Sequence, residues 1–169
     1  HYDDLVLAAG ATTNFFGNKN IEASALPMKS VSESMRLRNT ILQNLERAET
    51  EDNEARKQAL MNIAIVGGGP SGVEIAGVLA EMKQTILPRD YPDLDTSCMH
   101  IYLINATPRL LGAMSERSSR EAEKALKELG VKVMTNCMVT DYVDKELVLK
   151  DGQRISAETV IWVSGIKAN

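Results

Sequence analysis

Histidine, cysteine and aromatic residues are scarce in this chain of 169 residues, and each scarcity removes a class of chemistry. Its two histidines, one of them at position 1, supply neither a metal-ligand cluster nor a Ser-His-Asp arrangement, so no metal site is expected. Its two cysteines, Cys98 and Cys137, lie far apart and form neither a C-x-x-C redox pair nor a metal-ligand spacing; they read as ordinary thiols. Neither sign of charge is in excess. Nineteen Lys and Arg against 23 Asp and Glu give a formal charge of -4, which offers nucleic acid no basic surface. No apolar run approaches the roughly 18 residues of a membrane span, and no signal peptide opens the sequence, so the chain reads as soluble. With 44% hydrophobic and 25% charged residues it has the composition of a globular protein, and its length suits one domain.

What is abundant is glycine in one place. The stretch from Asn62 to Gly77 reads NIAIVGGGPSGVEIAG. An apolar run, Ile63 to Val66, breaks into Gly67, Gly68, Gly69, Pro70, Ser71 and Gly72, after which Val73, Ile75, Ala76, Val78 and Leu79 resume at helical spacing. The pattern predicts a strand, a tight turn and a helix. Gly67, Gly69 and Gly72 stand at G-x-G-x-x-G, where each missing side chain has a use in a dinucleotide site. The first permits the turn, the second admits a pyrophosphate, and the third lets helix and strand pack closely. Free amides and the positive end of the helix dipole, over Gly69, Pro70, Ser71 and Gly72, would face the diphosphate. A glycine turn that only packs helix on sheet shows the same spacing; the flanking strand and helix, and a second strand candidate at Ile101 to Ile104, favour the dinucleotide site.

Around this stretch, Leu5 to Ala9 reads as a strand that ends in Gly10, followed by a polar loop, ATTNFFGNKN. Phe15 and Phe16 on that loop either pin it to a core or line a ligand or an interface. Ser30 with Glu33 makes a capping box, and Leu37, Ile41, Leu45 and Ala48 then recur at helical intervals, predicting a helix to about Glu49. Residues 46 to 57, dense in both signs of charge, read as a solvated helix end and connector. The helix after the glycine turn should reach about Thr85, and residues 87 to 99, with Pro88 and Pro92, should be a loop. A second capping box, Ser118 with Glu121, is expected to open a helix with Ala122, Ala125, Leu126 and Leu129 on its apolar face and Gly130 at its end. Strands are expected at 100–105, from Val131, and at 139–143, 146–150, 153–155 and 159–163, with Asp151-Gly152 as a two-residue hairpin turn. The sum is an α/β, three-layer Rossmann-like dinucleotide-binding domain: a parallel sheet, helices, and a small antiparallel meander.

Three segments, LVLAAGATTNFFGN at 5–18, IAIVGGGPSGVEIAG at 63–77 and TVIWVSGIKAN at 159–169, resemble the FAD-dependent pyridine-nucleotide oxidoreductases, and among them the type II NADH dehydrogenases, which are NADH:quinone oxidoreductases. The resemblance covers nearly the whole chain. It implies an NADH-binding domain that in the family is inserted into an FAD domain, with residues from about 1 to 30 belonging to the latter. The start at His1, already close to an apolar strand, reads as a cut from something longer. The partners implied are NADH, FAD and a quinone, no nucleic acid, and a membrane surface reached through a C-terminal part beyond residue 169, at the inner face of the cell membrane. A ferredoxin or disulfide reductase, or a non-catalytic NAD(H)-sensing module, is the alternative.

The resemblance also implies residue roles. Gly67, Gly69 and Gly72 match the pyrophosphate turn; Gly165 matches the place where backbone lies against the nicotinamide; Gly10 stands near the flavin. Glu74 matches a carboxylate close to nicotinamide and flavin, and is the one catalytic candidate. It can equally be a first-turn glutamate favouring the helix dipole, worth roughly 0.3–1 kcal/mol. Asn105 departs from the pattern, because the family usually has a glutamate there to accept hydrogen bonds from the adenosine ribose. An amide still bonds a hydroxyl but does not repel a 2′-phosphate, and Arg109 either approaches such a phosphate or is solvated. On this basis Asn105→Asp is expected to sharpen a preference for NADH over NADPH.

Overall fold

In the computed structural model, which describes residues 2 to 169, regular structure begins with β1 (Ala11–Thr13). There follow α1 (Lys19–Ser24), β2 (Leu26–Pro27), α2 (Val31–Glu49), α3 (Glu54–Met61), β3 (Ile63–Val66), α4 (Pro70–Thr85), α5 (Leu87–Asp90), a 3-10 turn at Thr96–Cys98, and β4 (Ile101–Ile104). The second half comprises α6 (Glu116–Glu128), β5 (Lys132–Met134), β6 (Val139–Val143), β7 (Glu146–Leu149), β8 (Arg154–Ser156), β9 (Thr159–Trp162) and β10 (Ile166–Ala168). Strands β2, β9, β3, β4 and β5, in that spatial order, form a parallel sheet. An antiparallel meander, β6-β7-β8, and a two-stranded ribbon of β1 with β10 complete the topology.

The layering follows from β3. All four of its residues are buried, and successive side chains point to opposite faces, so both faces need a cover. Ile63 and Ile65 join Leu103, Ile161, Leu37 and Ile41 of α2, and Ile75 and Leu79 of α4 in one core. Ala64 and Val66 join Ile104, Val160 and Trp162, Leu147 and Tyr142 of the meander, and Ile21 of α1 in the other. The long helices α2 and α4 therefore lie on one face of the parallel sheet, and the small antiparallel sheet with α1 on the other, the three layers expected from the sequence. Tyr142 ties the meander to the connection before β9 by donating its hydroxyl hydrogen to the Ala157 carbonyl at 2.8 Å, and burial pushes that phenol's pKa up.

Several local expectations are corrected. Leu5 to Ala9 is no strand: no described strand lies beside it, and Leu5, Val6 and Leu7 are 66%, 85% and 85% exposed. An apolar run becomes a strand only where another supplies hydrogen bonds, and pairing begins at Ala11, opposite Ala168. The loop after it holds α1, capped by the Asn18 side chain, which accepts from Ile21 N. The charged connector at 46–57 contains the start of α3, capped by Asn53, whose apolar residues Leu60 and Met61 lie later in the chain and are buried. The 87–99 loop includes α5 and the 3-10 turn. The hairpin at 149–153 has three loop residues: Gly152 N donates to the Leu149 carbonyl, Leu149 N donates to the Gln153 carbonyl, and Gly152 takes a φ of +89°.

The first helix of the sequence reading is as expected, with Ser30 and Glu33 making both bonds of the capping box. In α6 the cap lies one turn earlier than expected. Ser115 accepts from Ser118 N at 3.1 Å, and Ala125 faces solvent while Leu126 is buried. The outer face of α6 instead carries i,i+4 pairs such as Arg117 with Glu121 and Lys127 with Glu123. Ser115→Ala should therefore cost about 1 kcal/mol in thermal or urea unfolding, and Ser118→Ala less than about half of that. Equal losses would return the cap to Ser118.

Candidate functional site

The glycine turn sits where β3 ends and α4 begins, beside the carboxyl ends of β4 and β9. Two parallel connections diverge here, to β4 on one side and from β9 on the other, and in open α/β sheets such a point leaves a crevice for a ligand. Neighbouring strands hold the turn closely. Gly67 N donates to the Ile104 carbonyl at 2.9 Å, and Val163 N to the Val66 carbonyl at 2.9 Å.

The glycines differ in what excludes a side chain. Gly67 has a φ of +124°, and a Cβ there would lie 2.8 Å from the carbonyl carbon and oxygen of Val163. At Gly72 a Cβ would lie 1.8 Å from the Gly67 carbonyl oxygen, so α4 rests directly on the turn. At Gly69 nothing lies within 4 Å of the Cβ position. Gly69 is the N-cap of α4 without a side-chain cap, and Pro70 follows at the first helical position, where its missing N–H costs nothing. Among the described residues, the backbone N–H groups of Gly69, Ser71 and Gly72 have no protein acceptor, while Val73 N already donates to the Gly69 carbonyl at 3.1 Å. Three donors without a protein acceptor and a helix dipole thus gather at the one glycine of the turn whose Cβ position is empty, an arrangement that suits a diphosphate.

Gly68, an "x" of the motif, was not singled out from the sequence, yet a Cβ there would lie 2.6 Å from Asn105 Cγ and 2.7 Å from Leu110 Cδ2. A glycine between Gly67 and Gly69, where the motif allows any residue, was the available signal. Its N–H donates to Asn105 Oδ1 at 3.1 Å and its carbonyl accepts from Leu111 N at 2.8 Å. Arg109 turns back on its own loop, donating through Nη2 to the Gly112 carbonyl at 2.8 Å, with Nη1 buried and without a partner. Its guanidinium makes no hydrogen bond to Asn105; only the Arg109 carbonyl does, accepting from Asn105 Nδ2 at 3.0 Å.

Of the remaining sequence candidates, Gly165 follows Val163 and Ser164, which pack against Gly67, whereas Gly10 and Glu74 lie elsewhere. Gly165 has a φ of +105°, and a Cβ there would meet Phe16 Cζ at 3.0 Å. The phenylalanine pair divides its roles: Phe15 packs on Trp162 with ring centroids 6.1 Å apart, while Phe16, at φ +52°, is 67% exposed and covers Gly165. Trp162 Nε1 donates to the Asn14 carbonyl at 2.9 Å, pinning the loop. Phe16, Val66, Ile104, Cys137, Trp162 and Ser164 line a small cavity of about 150 Å³ at the sheet's carboxyl edge. Gly10, with a φ of +77°, stands beside Asn169 at the outer end of the ribbon, the end away from Gly165.

Glu74 is exposed and lies beyond the first turn of α4, which holds no acidic residue, so the helix-dipole account of it fails. It lines an apolar groove of about 360 Å³ between α2 and α4, with Leu37, Arg38, Ile75 and Val78. Both cysteines are free, and no group of three or more potential metal ligands occurs among the described residues. No helix among them is long and apolar enough to cross a membrane.

Comparison with known proteins places this geometry in a family. The chain is 33% identical over 172 residues to the type II NADH:quinone oxidoreductase Ndh of Mycobacterium tuberculosis, a match covering 99% of this chain and 37% of that protein. It is 33% identical over 179 residues to the type II NADH:quinone oxidoreductase of Haemophilus influenzae, covering 99% and 40% respectively. The structure superposes on NDH2 from Plasmodium falciparum, solved in complex with NADH, with a TM-score of 0.88 and 25% identity, over 95% of this chain and 34% of that one. The chain thus spans well under half the length of these relatives. The family profile described as pyridine nucleotide-disulphide oxidoreductase matches residues 1–169, and the chain belongs to that family.

Proposed function

We propose that residues 1 to 169 are the NADH-binding part of a type II NADH:quinone oxidoreductase, in which hydride passes from NADH to FAD and electrons then pass to a quinone. The observation that carries this reading is the contrast within the glycine turn: crowding at Gly67, Gly68 and Gly72, and empty space over Gly69 beside three free amides. The printed names of the relatives and the NADH complex of NDH2 support it. In this reading the amides of Gly69, Ser71 and Gly72 hold the pyrophosphate, with Pro70 fixing the start of the helix. Gly165 would offer its backbone to the nicotinamide once Phe16, which lies over it, swings aside, and Glu74, on the same helix as the pyrophosphate site, is the candidate carboxylate.

The described residues contain one glycine fingerprint, and so fit one dinucleotide rather than two. FAD, whose chemistry is to accept hydride, would be held mainly by chain outside these residues, with the stretch from about 1 to 30, including Gly10, contributing to the flavin domain. Attachment to the inner face of the membrane belongs to that larger protein. The 169-residue chain, purified, should therefore be colourless, should bind NADH in a fluorescence titration, and should not oxidise NADH with a quinone. Quinone reduction without added flavin would refute the division of labour proposed here, and failure to bind NADH would refute the site.

A further inference from the structure

The Asn105 carboxamide is bonded at both ends. Oδ1 accepts from Gly68 N at 3.1 Å. Nδ2 lies 2.7 Å from Thr107 Oγ1, 3.0 Å from the Arg109 carbonyl oxygen and 3.2 Å from the Thr107 carbonyl oxygen, three acceptors for two hydrogens. Thr107 Oγ1 donates its own hydrogen to the Arg109 carbonyl at 3.1 Å. Leu111, held at a φ of +50°, donates its N–H to the Gly68 carbonyl at 2.8 Å. Gly68 is thus gripped on both sides, its N–H by the side chain that begins the loop and its carbonyl by the backbone that ends it. Such a left-handed leucine persists only where its surroundings over-determine it.

We propose that Asn105 is a positioning residue: its amide ties the glycine turn to the 105–111 loop, and this chain requires an amide where a carboxylate would read a ribose. The inference rests on the dinucleotide reading given above. An aspartate of the same shape would keep the bond from Gly68 N. It would also turn an acceptor toward two carbonyl oxygens, at Thr107 and Arg109, that have no proton to offer. The Thr107 hydroxyl could swing to the carboxylate only by abandoning the Arg109 carbonyl. Leaving such groups unpaired disfavours the closed loop, and the turn that presents the Gly69 amides loosens with it.

This reverses the expectation drawn from residue type alone, that Asn105→Asp sharpens the preference for NADH. The test combines amide hydrogen exchange with titration of NADH and NADPH against the 169-residue chain, its Asn105→Asp variant and its Gly68→Ala variant, at a temperature where circular dichroism shows each to be folded. Gly68→Ala attacks the same contact from the other side, since its Cβ would meet Asn105 Cγ. Expected in both variants is faster exchange at the amides of positions 68 and 111, with β3 and β9 amides unchanged, and a loss of about tenfold or more in affinity for both nucleotides together. Unfolding alone would accelerate exchange throughout. A wild type that binds no nucleotide would overturn the dinucleotide reading. A wild type that binds, with an Asn105→Asp variant that keeps NADH affinity and loses only NADPH, would overturn the positioning role and leave the site in place.

Discussion

Gly72→Ala should strongly destabilise the α/β core. The added Cβ would lie 1.8 Å from the Gly67 carbonyl oxygen and 3.0 Å from its carbon, and both are backbone atoms that cannot rotate away. Relief requires α4 to lift from β3, which would separate Ile75, Ala76 and Leu79 from Ile63, Ile65 and Leu103 in the larger core. A loss on the order of 4 kcal/mol or more is expected, against the roughly 5–15 kcal/mol of a typical domain. Urea denaturation followed by circular dichroism measures it. A midpoint matching that of the wild type would mean that α4 is not seated as described.

Gly69→Val should do the opposite, sparing the fold and removing the ligand. Gly69 has φ −77° and ψ −177°, an extended backbone open to a branched residue, and its Cβ would touch no protein atom. Stability should change by less than about 0.5 kcal/mol, as for a substitution without packing partners. The two methyl groups would nonetheless fill the open space over Gly69 in which the proposed site holds the pyrophosphate. NADH affinity should fall roughly a hundredfold or more, corresponding to about 3 kcal/mol. Calorimetry decides between the alternatives, and unchanged affinity would mean that the nucleotide binds elsewhere. Two glycines of one motif, three residues apart, therefore separate folding from binding.

The sequence disclosed this turn, the helix behind it and the parallel strands because each is a local pattern with one solution: a buried run for β3, glycine where backbone meets backbone, helical spacing from Val73. Elements whose stability comes from distant residues were not visible. α1 is held by Ile21 in a core that the meander shares with the parallel sheet, and β2 exists because Leu26 and Pro27 lie beside Ile161 and Trp162. Leu5 to Ala9 shows the converse, a run with strand composition and no neighbour to pair with. Within the site, Gly67, Gly69 and Gly72 were legible by spacing. The work of Gly68 was not, because it depends on a side chain that arrives from the end of another strand. Asn105 stood out by residue type, but its hydrogen bonds assign it to holding the turn, and that arrangement exists only once the 105–111 loop has closed.

The ribbon of β1 and β10 has a mechanical consequence. Its strands are antiparallel, with Ala11 opposite Ala168 at the outer end and Thr13 opposite Ile166 at the inner, so tension applied at residues 10 and 169 acts across the pairing. The load falls on one rung at a time, starting with the bond from Asn169 Nδ2 to the Ala9 carbonyl. After the strands part it reaches the bond from Asn14 N to the Gly165 carbonyl, and then the bond from Trp162 Nε1 to the Asn14 carbonyl. The ribbon thus unzips as a fuse: the crevice at the glycine turn feels strain last, and feels it first at Gly165 and Trp162, on the side opposite the glycine turn's bond to Ile104.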